Sequence, residues 1–516
     1  MHIFLYGPSG SGKSTIGKLL SKFLNLPFLD LDTEIEKDSG QTVAKFITEQ
    51  GENAFRDAET ILLQEITKKG DMVIALGGGA LLRDENHTLV EKHGQVIFLE
   101  SDLSILSARL GQDPNQRPLL KGEFETTLKL LLKNRETHYN SFPLRVDASE
   151  SPDQVASNIQ ILVGRYHLRS MGSGYDVLTQ EGGLDTLGEM LKSREVGGPV
   201  LVVSDTNIAP LYSERVMESL QAEGYVASKL VIPAGEVNKT IETVSTLWRG
   251  CLEANLDRKS TLIALGGGVV GDLAGFASAT FMRGCRWVAV PTTLLAMVDA
   301  SMGGKTGFDL PEGKNLVGAF HPPRFVLVDP DVLFTLPERE LRAGLAEVVK
   351  HGVIADPELF NLCNQGWDVV KNSLPEVVRR GIAVKVKVIE EDPYEKGSRA
   401  VLNFGHTVGH SVELVSKFNL LHGEAVAIGM VAEAKFAERL SVADQGLSDK
   451  LVETLSGIGL PIDIPKNLPL TELIRVMKED KKKSEGVIRF ALPVKIGEVK
   501  VGVEVDNLYS VLEGDE

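Results

Sequence analysis

Residues 7–15 read Gly-Pro-Ser-Gly-Ser-Gly-Lys-Ser-Thr and directly follow the apolar run His2-Ile-Phe-Leu-Tyr6. The stretch fits G-x-x-x-x-G-K-[ST], a loop that cradles nucleotide phosphates. Its glycines, Gly7, Gly10 and Gly12, let the backbone curl so that N–H groups face phosphate oxygens. Lys13 is placed to reach the β- and γ-phosphates, and Ser14 to ligate Mg²⁺, with Thr15 closing the motif. The segment Thr15–Leu24, TIGKLLSKFL, reads as a helix whose positive N-terminal dipole adds to the site. Strand, loop and helix in this order predict an α/β unit with a parallel sheet.

A P-loop names a nucleotide and leaves the acceptor open. In FLDLDTEIE, Asp30 and Asp32 follow an apolar stretch, and on a strand residues two apart point the same way. One carboxylate would act on metal-bound water and the other would hold an acceptor hydroxyl. Arg56, Arg117 and Arg135 lie in segments with no evident acidic partner, which points to an anionic acceptor gripped by guanidinium groups. VIALGGGALL places Gly77, Gly78 and Gly79 after a further strand. Together these residues, over about 1–165, resemble the shikimate kinase family. The resemblance implies that Asp32 binds the acceptor diol, that Asp30 lies near Mg²⁺, and that Arg56, Gly78, Gly79 and Arg135 bind the substrate. It also makes Arg117 a lid arginine reaching the phosphates and Arg109 an adenine-side contact. Lys13, Asp32 and Arg117 are then the catalytic groups.

At 516 residues the chain is too long for one ordinary core. Its 43% apolar content indicates a globular protein, and a formal net charge of −16 argues against nucleic acid or an anionic membrane as partner. Any anionic substrate therefore needs a locally basic pocket. Three cysteines, Cys251, Cys285 and Cys363, show no metal-type spacing and suit a reducing cytosol. No apolar run approaches the ~18 residues of a membrane span, and the start of the chain leads us to expect no signal peptide, hence a cytoplasmic protein. The stretch GRYHLRSMGSGYDVL breaks the alternating pattern. We expect a P-loop domain over 1–164, a linker at 165–173, an α/β domain over 174–328 and a mainly helical domain over 329–516.

In the α/β stretch, strands end at Ser204-Asp205, before Glu236 and Lys239, at the turn Gly266–Gly268 ahead of Asp272, and at Thr292-Thr293 ahead of Asp299 and Lys305. Such alternation predicts a parallel sheet with ligand at the strand C-termini. The glycine turn is not the G-x-G-x-x-G fingerprint, so the turn by itself does not select a dinucleotide. In RAGLAEVVKHG, Glu347, Lys350 and His351 share a helix face. Lys385 sits within an apolar helical stripe, either snorkelling or aimed into a cleft. Then come Arg399, Asn403, His406, His410 and His422. Three of the chain's 10 histidines fall here, and with Glu347 upstream they point to a catalytic metal site. Spacing alone, i and i+4, would make both His406 and His410 ligands.

Residues 172–516 resemble the 3-dehydroquinate synthase family, carried by GGGVVGDLAGF, FMRG, PTTLLAMVDASMGGKTG, Lys314-Asn315, RAGLAEVVK, RAVLNFGHTVGH and LHGEAVAIGM. The resemblance implies a divalent metal, Zn²⁺ or Co²⁺, on Glu347, His406 and His422, with His410 left to the substrate. It implies an NAD site lined by Asp205, Asn207, Glu236, Lys239, Gly267, Gly268, Asp272, Thr292 and Thr293. Arg283, Asp299, Lys305, Lys314, Asn315, Arg399 and Asn403 would surround the substrate, with Lys350, Lys385 and His410 catalytic. The run DKKK at 480–483 resembles a further basic substrate element, without selecting among its lysines. His351 stands where the family leads us to expect an aromatic residue, and we read it as supporting or surface. The implied activities are ATP- and Mg²⁺-dependent phosphorylation of shikimate, and NAD- and metal-dependent conversion of 3-deoxy-arabino-heptulosonate 7-phosphate to 3-dehydroquinate. The implied partners are small molecules, with a homodimer through the synthase half. Two rivals are a metal-dependent polyol dehydrogenase in the second half and a regulatory nucleotide sensor in the first.

Overall fold

The computed structural model describes residues 1–111, 124–481, 488–505 and 508–509, with only the backbone of Phe124, Asp480 and Lys481. Arg117, Lys482 and Lys483 therefore lie outside the described residues, as does the side chain of Lys481. The chain divides into two compact units, Met1–His167 and Leu168–Glu516.

His2–Tyr6 is buried at every position, as expected of a strand covered on both faces. It is the middle strand of a five-stranded parallel sheet ordered Phe28–Asp30, Val73–Ala75, His2–Tyr6, Gly94–Glu100, Arg145–Asp147. Side chains alternate across a strand, and this one splits accordingly. Ile3 and Leu5 join Ile16, Leu20, Val155 and Ile159 in one core. Phe4 and Tyr6 join Phe55, Leu63, Phe98 and Tyr139 in another. The C-terminal ends of three adjacent strands thus feed, side by side, the P-loop, Asp30 and the Gly77–Gly79 turn.

In the second unit six parallel strands run in the order Tyr175–Thr179, Phe325–Val328, Arg286–Pro291, Thr261–Gly266, Val200–Asp205, Ala227–Ile232. Val328 ends the last of them, and from Glu338 the chain is mainly helical. Two antiparallel pairs interrupt the expected alternation. One is Lys305–Leu310 with Gly313–Phe320, the other Arg489–Lys495 with Glu498–Glu504. The first carries Lys305, Lys314 and Asn315 out on a hairpin. Arg165–Leu168, inside the stretch expected as a linker, is a strand. Its glycine- and serine-poor start hides a period of two, since Tyr166 and Leu168 are buried. The three cysteines are buried free thiols. No helix among the described residues is long and apolar enough to cross a membrane.

The helices His406–Val415 and His422–Arg439 approach closely because glycine faces backbone at their crossing. A Cβ at Gly409 would stand 3.0 Å from the Ala425 carbonyl oxygen and 3.1 Å from Val426 Cα. Backbone cannot yield as a side-chain tip can, so the two helices would have to part. Gly409→Val is expected to destabilise the second unit by about 1–3 kcal/mol. Scanning calorimetry should show a lower midpoint for that unit's transition, with the first unit's transition unmoved. An unchanged midpoint would contradict the close-packing account.

Candidate active sites

In the first unit Gly7, Gly10 and Gly12 have φ of 146°, 84° and 91°, a region closed to side chains with a Cβ. Gly12 caps the helix Lys13–Leu24 without a side-chain hydrogen bond. The first N–H groups of that helix are therefore available to an anion. Lys13 Nζ donates to the carbonyls of Gly7 and Pro8 at 2.9 and 2.8 Å. Ser14 Oγ donates to Asp30, placing the hydroxyl and the carboxylate at one point.

The expectation that Asp30 and Asp32 share a strand face is corrected. The strand stops at Asp30, which caps the helix Leu31–Ser39 and accepts the Thr33 N–H at 3.2 Å. Asp32 lies in the first turn of that helix, where the direction of its side chain follows a period of 3.6. It still reaches the Gly77 turn: a Cβ on Gly77 would stand 2.8 Å from Asp32 Oδ1 and 2.7 Å from Glu59 Oε1.

The expectation of arginines without acidic partners is also corrected. Arg56, on the helix Glu52–Ile66, donates to Glu59 at 2.7 Å and Glu52 at 3.0 Å. These are i+3 and i−4 neighbours, so the helix itself supplies the acids. Glu59 is fully buried, and burial pushes it up to about 7 against the pull of Arg56. Arg56 also abuts Gly79, where a Cβ would meet its guanidinium. Arg135 donates to the Gly78 carbonyl at 2.8 Å, a carbonyl that also accepts from Tyr139 at 2.9 Å. Arg109 donates to the Ala148 carbonyl at 3.0 Å, and its Nη1 lies 3.9 Å from where a Gly12 Cβ would be. P-loop, two aspartates, glycine turn and three arginines therefore surround one place.

In the second unit the helix Glu338–Ala355 buries Glu347 and Lys350 completely, 0% and 1% exposed, as an ion pair. Lys350 holds Glu347 Oε2, and Oε1 faces the two histidines. His406 Nε2 is 3.6 Å and His422 Nε2 3.5 Å from Glu347 Oε1. The three donors lie within 4.8 Å of one another. His406 Nδ1 donates to the Phe404 carbonyl at 3.2 Å. A carbonyl can only accept, so the Nε2 lone pair points inward. Burial pulls His406 down, and Lys350 pulls it further; it stays neutral. Burial would raise Glu347, but Lys350 and the two histidines hold it well below the usual carboxylate range. His410 stands one turn after His406, exposed, its ring 5.1 Å from that of His406.

Around this centre Lys385, Arg399, Lys305, Lys314 and Lys239 are each met by an acid. Lys385 is buried on Asp299 rather than snorkelling. Arg399, 2% exposed, and Lys305 both pair with Glu395. Lys314 pairs with Glu413 at 2.9 Å and lies 3.6 Å from Glu236. Lys239 bridges Asp272 and Asn315, each at 2.6 Å. Gly267 begins the helix Gly268–Thr280 with no side-chain cap, and a Cβ there would stand 3.2 Å from Thr293. Thr292 is buried, and its hydroxyl has no partner among the described residues. A cleft runs along Gly266–Gly268, Gly271, Asp272 and Lys305. Asp205 holds the turn that ends its strand, accepting from the Asn207 and Ile208 N–H groups at 2.8 and 3.1 Å. Asn403 is exposed ahead of His406. Arg283 is exposed at φ 67° and forms no ion pair with the described residues.

Sequence reasoning misses four of the acids, Glu433, Glu413, Glu395 and Glu59. Glu433, fully buried, accepts from Gly405 and Val408 at 2.7 and 3.1 Å and so caps the helix that carries His406. Glu413, Glu395 and Glu59 were legible only as helix or loop carboxylates. Glu413 alone carried a signal, its seven-residue spacing from His406.

The folds and sites define an enzyme that joins a P-loop phosphotransferase unit to an α/β–helical unit with a polar, metal-competent centre. Residues 9–163 match the shikimate kinase family, and residues 229–343 and 344–483 match the N- and C-terminal parts of 3-dehydroquinate synthase. A 3-dehydroquinate synthase of Synechocystis sp. is 46% identical over 342 residues, 65% of this chain and 95% of that protein. The chain belongs to the 3-dehydroquinate synthase family and carries a shikimate kinase domain ahead of it, one chain with both activities. The solved 2-deoxy-scyllo-inosose synthase with carbaglucose-6-phosphate, NAD⁺ and Co²⁺ is 26% identical. Its TM-score is 0.62, over 68% of this chain and 100% of that one. The 2-epi-5-epi-valiolone synthase of Streptomyces hygroscopicus, with NAD⁺ and Zn²⁺, is 30% identical at a TM-score of 0.59, over 66% and 94%.

His351 is not at the surface. It is fully buried, 4.0 Å from Asp299, and neither ring nitrogen has a hydrogen-bond partner among the described residues. Burial, then Lys350, push it down to about 3, against Asp299 and Glu347. A histidine whose folded pKa is lowered stabilises fully above its unfolded pKa, near 6.5, and loses that contribution as pH falls toward 3. His351→Phe removes this proton uptake. Its stability relative to wild type should therefore improve by about 1.4 kcal/mol per pH unit below that point. Parallel pH profiles for the second unit's unfolding would contradict the burial of a neutral imidazole.

Proposed function

We propose that the first unit transfers the γ-phosphoryl group of ATP·Mg²⁺ to the 3-hydroxyl of shikimate. The second unit converts 3-deoxy-arabino-heptulosonate 7-phosphate to 3-dehydroquinate and phosphate with NAD and a divalent metal, zinc or cobalt. The family matches support this, and so does the presence of NAD⁺ with Co²⁺ or Zn²⁺ in the two related synthases. The observation that carries it is the meeting of a buried carboxylate and two Nε2 atoms beside the buried cations Lys350 and Lys385.

The residues fit the implied groups. Glu347, buried with Oε1 facing the two imidazoles, and His406 and His422 offer one oxygen and two nitrogens to a metal. The Gly267 cradle, the open helix start and the unpartnered Thr292 hydroxyl fit a dinucleotide. When bound there, the metal supplies a Lewis acid and NAD a hydride acceptor that is restored within each turnover. The chain's own residues do the rest. Lys350 and Lys385 hold charge beside the reacting carbons. Lys305, Lys314, Asn315, Arg399 and Asn403 bind the substrate's phosphate and carboxylate, and Arg283 is assigned there by resemblance alone. His410 exchanges the proton lost next to the oxidised carbon.

In the first unit Asp32 holds the acceptor hydroxyl. Arg56 and Arg135 grip the shikimate carboxylate, and Ser14 with Asp30 holds Mg²⁺. Catalysis there is positioning and charge neutralisation. Three buried thiols and the need for ATP and NAD agree with a cytoplasmic setting, and a homodimer through the second unit belongs to this reading.

Two experiments test it. Lys13→Ala should abolish shikimate phosphorylation while carbocycle formation stays near wild type; loss of both activities in a folded protein would contradict two separate sites. His406→Ala should lose bound metal, whereas His410→Ala keeps metal and loses turnover. Metal content measured on the purified variants decides this, and the reverse pattern would overturn the ligand assignment.

A further inference from the structure

The helix His406–Val415 presents more than histidines to the metal centre. His406, His410 and Glu413 stand at i, i+4 and i+7, which share one helix face. Glu413 is 8% exposed, and both its oxygens are used. Oε2 lies 3.2 Å from His422 Nδ1, and Oε1 accepts from Lys314 Nζ at 2.9 Å. An ionised carboxylate only accepts, so His422 Nδ1 carries a proton, which leaves Nε2, 3.5 Å from Glu347, as the nitrogen that can give its lone pair to a metal. Lys314 is further framed by Glu236 at 3.6 Å and by the Phe418 ring, 4.2 Å from the ammonium. One carboxylate thus touches a residue of the metal centre with one oxygen and a substrate cation with the other.

We infer that Glu413 is a positioning residue that couples the metal centre to the substrate's anionic group, by fixing the His422 tautomer and the Lys314 ammonium together. The inference rests on the proposed metal role of Glu347, His406 and His422. It goes beyond that role in making metal affinity and substrate affinity depend on one side chain. Two donors need two acceptors. Glutamate has both, whereas glutamine offers one oxygen and turns an N–H₂ group on the other donor. Glu413→Gln therefore cannot serve His422 and Lys314 at once, although its size and shape are kept.

The test uses the full chain, with Zn²⁺ affinity of the metal-free protein measured by chelator competition in the absence of substrate. Glu413→Gln should bind Zn²⁺ about 10- to 100-fold more weakly. At saturating metal it should also show a raised KM for the phosphorylated substrate. Lys314→Met should raise KM alone and bind Zn²⁺ at least as tightly as wild type, since it leaves Glu413 on His422. Kinase activity and the melting of the metal-free chain should be unchanged in Glu413→Gln, which separates positioning from folding. If wild type binds Zn²⁺ and Glu413→Gln binds it within about two-fold, well short of the loss an orienting carboxylate gives, the inference is overturned while the metal reading stands. A melting point of the metal-free Glu413→Gln chain well below wild type would also overturn it, as a structural role. If wild type binds no Zn²⁺, the metal reading fails first and takes this inference with it.

Discussion

The second unit is organised around the buried carboxylate of Glu347. A lone carboxylate taken out of water is costly enough that it would take up a proton. Lys350 keeps it charged, and the inward Nε2 atoms of His406 and His422 surround it. Each of these must be held in turn. Phe404 orients His406, Glu413 orients His422, and Glu433 caps the helix that brings His406 in. The glycine-lined approach of the two histidine helices follows from the same need, because bulkier residues would carry the rings apart. A metal, when bound, would take one carboxylate oxygen and the two Nε2 atoms, displacing whatever proton His422 holds there.

The first unit solves a different problem with backbone. Its site is made of turns at the C-terminal ends of three adjacent parallel strands. Positive-φ glycines and an uncapped helix start present N–H groups there. Side chains add charge around these turns, where Arg56 is pre-set by Glu59 and Glu52 and Arg135 by the Gly78 carbonyl. Holding an arginine before the substrate arrives reduces the ordering that binding requires. The net charge of −16 is reconciled with anionic substrates in both units in the same way. Cations are gathered locally and paired with acids.

Much of this was legible in the sequence because it depends on local patterns. The P-loop, the glycine turns and the alternating α/β stretch each announce themselves within about ten residues. The spacing of His406 and His410 was legible too, but spacing alone could not tell a ligand from a substrate residue. What separates them in space is the helix start at His422, which brings a second Nε2 to Glu347 from another element. Asp32 was placed on a strand because three residues of strand and the start of a helix read alike. The arginine partners were missed because a helical carboxylate is common, and only burial shows that Glu59 faces inward. The strand Arg165–Leu168 hides in the linker stretch because its period of two spans only four residues.

The central claim is that Glu347, His406 and His422 form the metal centre and leave a coordination position open. Anomalous diffraction at the zinc or cobalt edge, from crystals of the full chain grown with that metal, tests it most directly. The account predicts one peak in the second unit, bonded to one oxygen of Glu347 and to Nε2 of His406 and His422, with His410 outside bonding distance. A peak elsewhere, or a fourth bond from His410 closing the tetrahedron, would contradict it.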